Sequence, residues 1–304
     1  DKDKAFKMIE IASKCGANAV KFQLFKAKNL YSPGNPMFKI FKKIELNSSW
    51  LNELSKCAKK NKITFLASAF DFDSVDSLEK INISAYKIAS SETANTSLLR
   101  YIASKKKPML ISTGMSDYID IEKAISICEK SNNNKIALLQ CTSLYPCEYN
   151  KANLSVISEL KEKYKKIVGF SDHTNDNLAS SVAVGLGASI FEKHFTLDKT
   201  SKGPDHFYSL EPNEFKNYVK TIKNSHILKG SNKKEFIEEE RKVSRKDGLY
   251  ASKNLSKNHI LELKDFYFSR PAIGIDSKYS NSLKGAKVKN KIKKNDPIKW
   301  EDIL

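Results

Sequence analysis

No run of about 18 apolar residues occurs anywhere in the chain, which excludes a helical membrane span. The N-terminus is charged and helical in pattern, without the apolar stretch of a secretory signal, and predicts a cytoplasmic protein. No pair of cysteines has CxxC spacing, which excludes a zinc ribbon. The five that are present (Cys15, Cys57, Cys128, Cys141 and Cys147) are odd in number and scattered, as expected of reduced thiols rather than of a disulfide framework. Six lysines crowd residues 284–294, but no aromatic residue interrupts them. A nucleic-acid stripe needs such stacking platforms, so this run reads as a solvated face.

What remains is an ordinary globular composition, with 40% hydrophobic and 29% charged residues. At 304 residues, one large domain with a smaller companion is the natural division. The formal net charge of +18 would draw an anionic substrate toward the protein or hold nucleic acid non-specifically. Lysine is also the default surface residue of an Asn/Ile/Lys-rich sequence, so charge alone does not choose between them.

Up to about residue 228, helical periods alternate with short apolar strands. Strands are expected at 19–23, 64–70, 85–90, 109–114, 136–143, 167–172 and 189–195. Helices are expected at 4–15, 49–60, 72–80, 97–104, 119–130, 154–165, 177–186 and 212–228. The strands read as covered on both faces. Seven strand–helix units preceded by a lone helix predict an α/β fold, a (β/α)₈ TIM barrel without its first strand. An open doubly wound sheet is the alternative. The barrel is favoured because nearly every strand ends in a polar cluster (KFQ, ASAF, KIASSE, STG, CTS, SDH, EKH), and only a barrel brings all those ends to one mouth. Residues 229–245 read as a charged linker of helical bias. Residues 246–304 read as a small β-rich module, near the size limit for independent stability and suited to docking on another surface.

His173 and His194 close two successive strands. Neutral imidazoles at neighbouring strand ends reach one metal ion and leave positions open for substrate oxygens. On the residues alone, two satisfied polar side chains are an equal account. Lys21, Lys87, Ser68, Ser90, Ser112 and Thr113 also lie at strand ends and suit a molecule bearing phosphate and carboxylate. A lysine on a buried strand needs a partner, and Glu92 is the candidate, or else an acid–base group. In Gly203-Pro204-Asp205-His206, a plain turn and a pair of sugar-hydroxyl ligands are both open. Arg270, before Pro271, aims a guanidinium outward and on its own reads as surface.

The strings VKFQ, YKIASSE, ISTGM, QCTSLYP, GFSDHT, EKHFTLDK and GPDHFYSLEP, in this order and at barrel spacing, resemble the sialic-acid synthase family (N-acetylneuraminate, legionaminate and pseudaminate synthases). The tail, with SRPAIGI, resembles that family's antifreeze-like (SAF) domain. ASAF stands where the family more often has a STPF-like string, and no match to its opening AEIG-type strand and glutamate is found.

The resemblance implies a transferase that condenses phosphoenolpyruvate with an N-acetylated hexosamine, giving a nine-carbon 2-keto sugar acid and phosphate. It implies a divalent metal on His173 and His194, manganese before magnesium or cobalt, acting as a Lewis acid on the sugar aldehyde. It places Lys21, Ser68, Lys87, Ser90, Ser112, Ser143 and Ser171 around phosphoenolpyruvate. Gln23, Glu92, Tyr145 and Asp205 fall around the sugar. It further implies a domain-swapped homodimer in which Arg270 meets the N-acetyl group in the partner's site, with neither nucleic acid nor membrane as a partner. GPDH favours the neuraminate and legionaminate branches over pseudaminate. A metal-dependent aldolase and a sugar-binding inactive paralogue are the competing readings.

Overall fold

Seven short strands run parallel and pair strictly in chain order. They are β1 (Ala19–Leu24), β2 (Thr64–Ala69), β3 (Tyr86–Ile88), β4 (Met109–Ser112), β5 (Ile136–Cys141), β6 (Ile167–Asp172) and β7 (Ile190–Lys193). The computed structural model describes residues 1–235, 237, 239–240 and 245–304. They divide into two units, Asp1–Gly230 and Ser231–Leu304. Part of the expected linker at 229–245, residues 236, 238 and 241–244, lies outside the described residues.

In the first unit α1 (Lys2–Lys14) precedes β1, and the remaining helices return the chain between strands. They are α2 (Ala27–Leu30), α3 (Pro36–Ile44), α4 (Leu51–Lys60), α5 (Phe72–Lys80), α6 (Thr96–Ser104), α7 (Tyr118–Lys130), α8 (Tyr149–Ala152), α9 (Val156–Tyr164), α10 (Leu178–Gly185) and α11 (Pro212–Lys229). The result is the barrel-like α/β architecture expected, with seven strands. Among the described residues no pairing joins β7 back to β1. At those edges the expectation of strands buried on both faces fails: β1 and β7 are largely half-buried, whereas every residue of β3 and β5 is buried. An edge strand has a neighbour on one side only.

Local chemistry sets the helix starts. Asp71 caps α5 through the Ser74 amide at 2.7 Å, and Asp117 with Asp120 forms a capping box at α7. The short helix α3, unread in the sequence, begins at an Asn35 cap followed by proline and buries none of its residues. Between sheet and helices lies one apolar core that includes Ile9, Leu54, Val75, Leu78, Ile88 and Ile102, all fully buried. Each such side chain contributes roughly 1.5–3 kcal/mol against exposure. Gly169 lets β6 fit between its neighbours, since a Cβ there would stand 2.3 Å from Leu139 and 2.4 Å from the Ile190 carbonyl.

The second unit has its own core of Leu249, Leu255, Leu261, Ile275, Val288 and Ile298. Its named strands are β8 (Gly248–Ala251) and β9 (Phe266–Ser269), paired antiparallel and extended by isolated bridges such as Leu255–Ile292. No described helix is long and apolar enough to cross a membrane.

Candidate active site

The polar strand ends meet at the C-terminal end of the parallel sheet. Side chains two apart on a strand share a face, so Lys21 and Gln23 lie on the same side of β1. Lys21 Nζ is 3.7 Å from Glu192 Oε2, and Lys87 Nζ is 3.5 Å from Glu192 Oε1. The Ser171 hydroxyl donates to Glu192 Oε1 at 2.8 Å. Lys87 donates to the Ser112 hydroxyl at 2.7 Å and to the Ile88 carbonyl at 3.0 Å, while Lys21 reaches Ser68 at 3.5 Å. Burial penalises the charge on Glu192, yet the two ammonium groups and the Ser171 hydroxyl outweigh it and hold the carboxyl at about 2. Burial lowers the Lys87 ammonium below its ordinary value, with Glu192 opposing.

The partner of the two lysines is therefore Glu192 rather than Glu92. The 3₁₀ turn Ser90–Glu92 carries Glu92 away, where its carboxylate accepts from Asn95 Nδ2 at 2.9 Å and from Ser91 at 3.2 Å. Glu192 stands two residues before His194, and strand alternation was the signal that would have found it.

Beside the lysines, Gly114 donates its amide to the Ser90 hydroxyl at 3.0 Å. A Cβ on Gly114 would stand 2.5 Å from Ser143 Oγ, 2.8 Å from Ser90 Oγ and 3.1 Å from Cys141 Sγ, so glycine alone leaves these groups room to converge. Ser143 Oγ is buried there without a hydrogen-bond partner of normal geometry. A cavity of about 600 Å³ adjoins, lined by Thr113, Tyr118, Cys141, Thr142, Ser143 and Lys151 among others.

The two histidine rings lie 5.4 Å apart between centroids. His173 Nδ1 is 2.7 Å from the Thr142 carbonyl. A carbonyl only accepts, so Nδ1 carries a proton there, and in the neutral tautomer the lone pair lies on Nε2. Burial lowers His194 to about 4 against the pull of Asp205, whose Oδ2 is 3.6 Å from Nδ1, leaving the ring neutral at pH 7. Tyr145 packs against both rings, at 4.2 Å from His173 and 5.6 Å from His194, and Tyr208 closes over His194 at 5.0 Å. Burial pushes the Tyr145 hydroxyl up to about 12; burial and then Asp205 raise Tyr208.

Among the described residues no group of three or more His, Cys, Asp or Glu side chains is placed to hold a metal ion. Two imidazoles, one held by the Thr142 carbonyl at Nδ1, suit a borderline divalent ion that takes its other ligands from water or substrate.

Not every expected residue joins this cluster. Gln23 is exposed at the end of β1. His206 is engaged away from it, its Nδ1 2.6 Å from the Thr196 hydroxyl. Arg270 lies in the second unit, 62% exposed, donating from Nε to Asp247 at 2.9 Å. The sequence reading passed over Glu192, Tyr208, Gly114 and Cys141. GPDHFYS carries Tyr208 only three residues beyond Asp205, while Cys141 sits in a string noted for its serine.

Residues 8–234 match the model of the NeuB family. The chain is 38% identical over 310 residues to N,N'-diacetyllegionaminic acid synthase of Campylobacter jejuni, covering 95% of this chain and 92% of that protein. It is 31% identical over 316 residues to pseudaminic acid synthase of the same organism, covering 98% and 92%. Among solved structures, the N-acetylneuraminic acid synthetase of Leptospira borgpetersenii is 32% identical with a TM-score of 0.76, over 80% of this chain and 85% of that one. By the family match across the barrel unit and by these relatives, this chain belongs to the NeuB family.

Proposed function

We propose that this protein condenses phosphoenolpyruvate with an N-acetylated hexosamine, N-acetylmannosamine or its 2,4-diacetamido-6-deoxy relative, to a nine-carbon 2-keto sugar acid and inorganic phosphate. The observation that carries the proposal is the placement of buried Lys87 and half-buried Lys21, paired through Glu192, beside the rings of His173 and His194 at one end of the sheet. A dianionic phosphate and a carboxylate need cations and donors; a carbonyl to be attacked needs an electrophilic partner.

Lys21 and Lys87 neutralise the carboxylate and phosphate of phosphoenolpyruvate. Ser68, Ser112 and Ser171 already contact the lysines or Glu192, and Ser90 and Ser143 converge at Gly114. These hydroxyls are read as the anion's donors, with Ser143 the one left unsatisfied for it. Glu192 holds the two ammonium groups in place between turnovers. Gln23, Glu92, Tyr145 and Asp205 are assigned to the sugar.

His173 and His194 would hold a divalent ion, manganese in preference to magnesium or cobalt, which when bound supplies Lewis-acid polarisation of the open-chain sugar's aldehyde. C3 of phosphoenolpyruvate then bonds to the aldehyde carbon, water adds at C2, and the resulting tetrahedral centre expels phosphate with its bridging oxygen. Holding two substrates in register is most of the acceleration.

The legionaminate or neuraminate branch is favoured by the GPDH string and by 38% identity to the legionaminic acid synthase against 31% to the pseudaminic acid synthase. Residues 246–304 are read as the antifreeze-like domain, residues 1–228 as the barrel and 229–245 as their linker. In a cytoplasmic, domain-swapped homodimer, Arg270 of one protomer would meet the N-acetyl group in its partner's site, an assignment supported by its exposed guanidinium.

The test is to incubate the protein with Mn²⁺, phosphoenolpyruvate and each sugar in turn, following phosphate release and the 2-keto acid. Release with one sugar, lost on chelation and in His194→Ala, is expected. No release with either sugar from folded protein overturns the proposal.

A further inference from the structure

The residues just before the two histidines form a second pair that the proposed chemistry does not use. Side chains alternate across a strand, so Asp172 and Lys193 face away from the histidines. They stand opposite one another in the β6–β7 register, with their charged groups 3.3 Å apart and their side chains 0% and 1% exposed. Both also hold Thr174, the residue after His173. Asp172 Oδ1 accepts from the Thr174 amide at 2.8 Å and from its hydroxyl at 2.7 Å, and Lys193 donates to the Thr174 carbonyl. Tyr218 of α11, itself buried, covers the Lys193 ammonium with its ring centroid 5.5 Å away. The turn that carries His173 is thus gripped from behind by the residue that precedes His194.

Stability is a weak reason for this arrangement. A buried ion pair is commonly no more stabilising than apolar residues of the same volume, because desolvation offsets the attraction. What an apolar pair would not supply is a fixed relation between residues 172–174 and residue 193. We propose that Asp172 and Lys193 are positioning residues that set the separation of His173 and His194, and through it the affinity of the histidine pair for a divalent ion. The inference rests on the metal-binding reading given above.

Mn²⁺ binding to the whole chain without substrates, followed by the electron paramagnetic resonance signal of the free ion, tests it alongside thermal unfolding. The double variant Asp172→Asn/Lys193→Met leaves no charge unpaired, so it should unfold near the parent's temperature while binding Mn²⁺ about tenfold or more weakly, the usual effect of losing outer-shell support. Asp172→Glu keeps the pair but moves the carboxylate by one methylene, and should bind with intermediate affinity. Parent-like Mn²⁺ affinity in the folded double variant overturns the inference; if that variant does not fold, parent-like affinity in Asp172→Glu overturns it equally. A parent that fails to bind Mn²⁺, or that binds it no better than His194→Ala, overturns the metal reading of the histidines instead.

Discussion

Two carboxylates, one in each unit, are held at about 2, yet they are built differently. Glu192 of β7 gathers Lys21 from β1, Lys87 from β3 and Ser171 from β6. Asp265 gathers its partners from the adjoining loop: Lys253 at 2.6 Å, His259 at 2.7 Å and the Glu262 amide at 2.9 Å. The serines at this end of the sheet are drawn from several strands too: Ser68, Ser112 and Ser171 contact the lysines or Glu192, and Ser143 beside Gly114 has no partner of normal geometry. Around Asp265 the donors are consumed in fastening the loop. A depressed carboxyl is therefore not by itself a mark of function. Partners drawn from several strands to one open end, with a buried hydroxyl left without a partner, are the better mark.

The largest effect that would sharpen this contrast is loss of turnover in Glu192→Gln. With its charge gone the lysines repel and lose register, so phosphate release should fall about 10²–10³-fold, as when a preorganised electrostatic group is removed. Parent-like turnover in that variant would break the comparison. Lys87→Met should next raise the KM for phosphoenolpyruvate about tenfold or more, in line with roughly 1.5–3 kcal/mol for a charge-assisted hydrogen bond. Steady-state kinetics over a range of phosphoenolpyruvate concentrations measure it.

In the second unit the expectation is reversed. Asp265→Asn should lower stability by about 1.5–3 kcal/mol, read by denaturant unfolding, with the turnover number within about twofold of the parent. A selective loss of turnover without loss of stability would show that Asp265 belongs with Glu192 after all.

The smallest effect is in acid. Both groups have folded values near 2, below their ordinary 4.5 and 3.8. A depressed carboxyl contributes stability that is fully present above its unfolded value and is lost as pH falls toward its folded value. The melting temperature should therefore decline between about pH 4.5 and pH 2 in the parent, and each of Glu192→Gln and Asp265→Asn should flatten part of that decline.

Legibility in the sequence followed the range of the interaction. The strands were placed by apolar runs with polar ends, and the structure has all seven in that order. His173 and His194 were visible because each closes a strand. The helix α3 is unread although Asn35-Pro36 marks its start and Met37, Ile40, Phe41 and Ile44 recur at helical spacing; it buries none of its residues fully, and Phe41 packs on Phe25 and Tyr31. Glu92 was nominated for the lysines because it lies five residues from Lys87, whereas the true partner comes from a strand far along the chain.

The sequence by itself determined the seven strands, most of the longer helices, the order of the strands and the family, because alternation, helix periodicity, capping residues and motif strings act over a few residues. Only the tertiary structure decided that Glu192 rather than Glu92 faces Lys21 and Lys87, that His194 is held neutral, and that Asp172 meets Lys193 behind the histidines. These depend on the register between strands and on burial beneath Tyr145 and Tyr208, and electrostatic energy is set by distance in space and by the water excluded, not by separation along the chain.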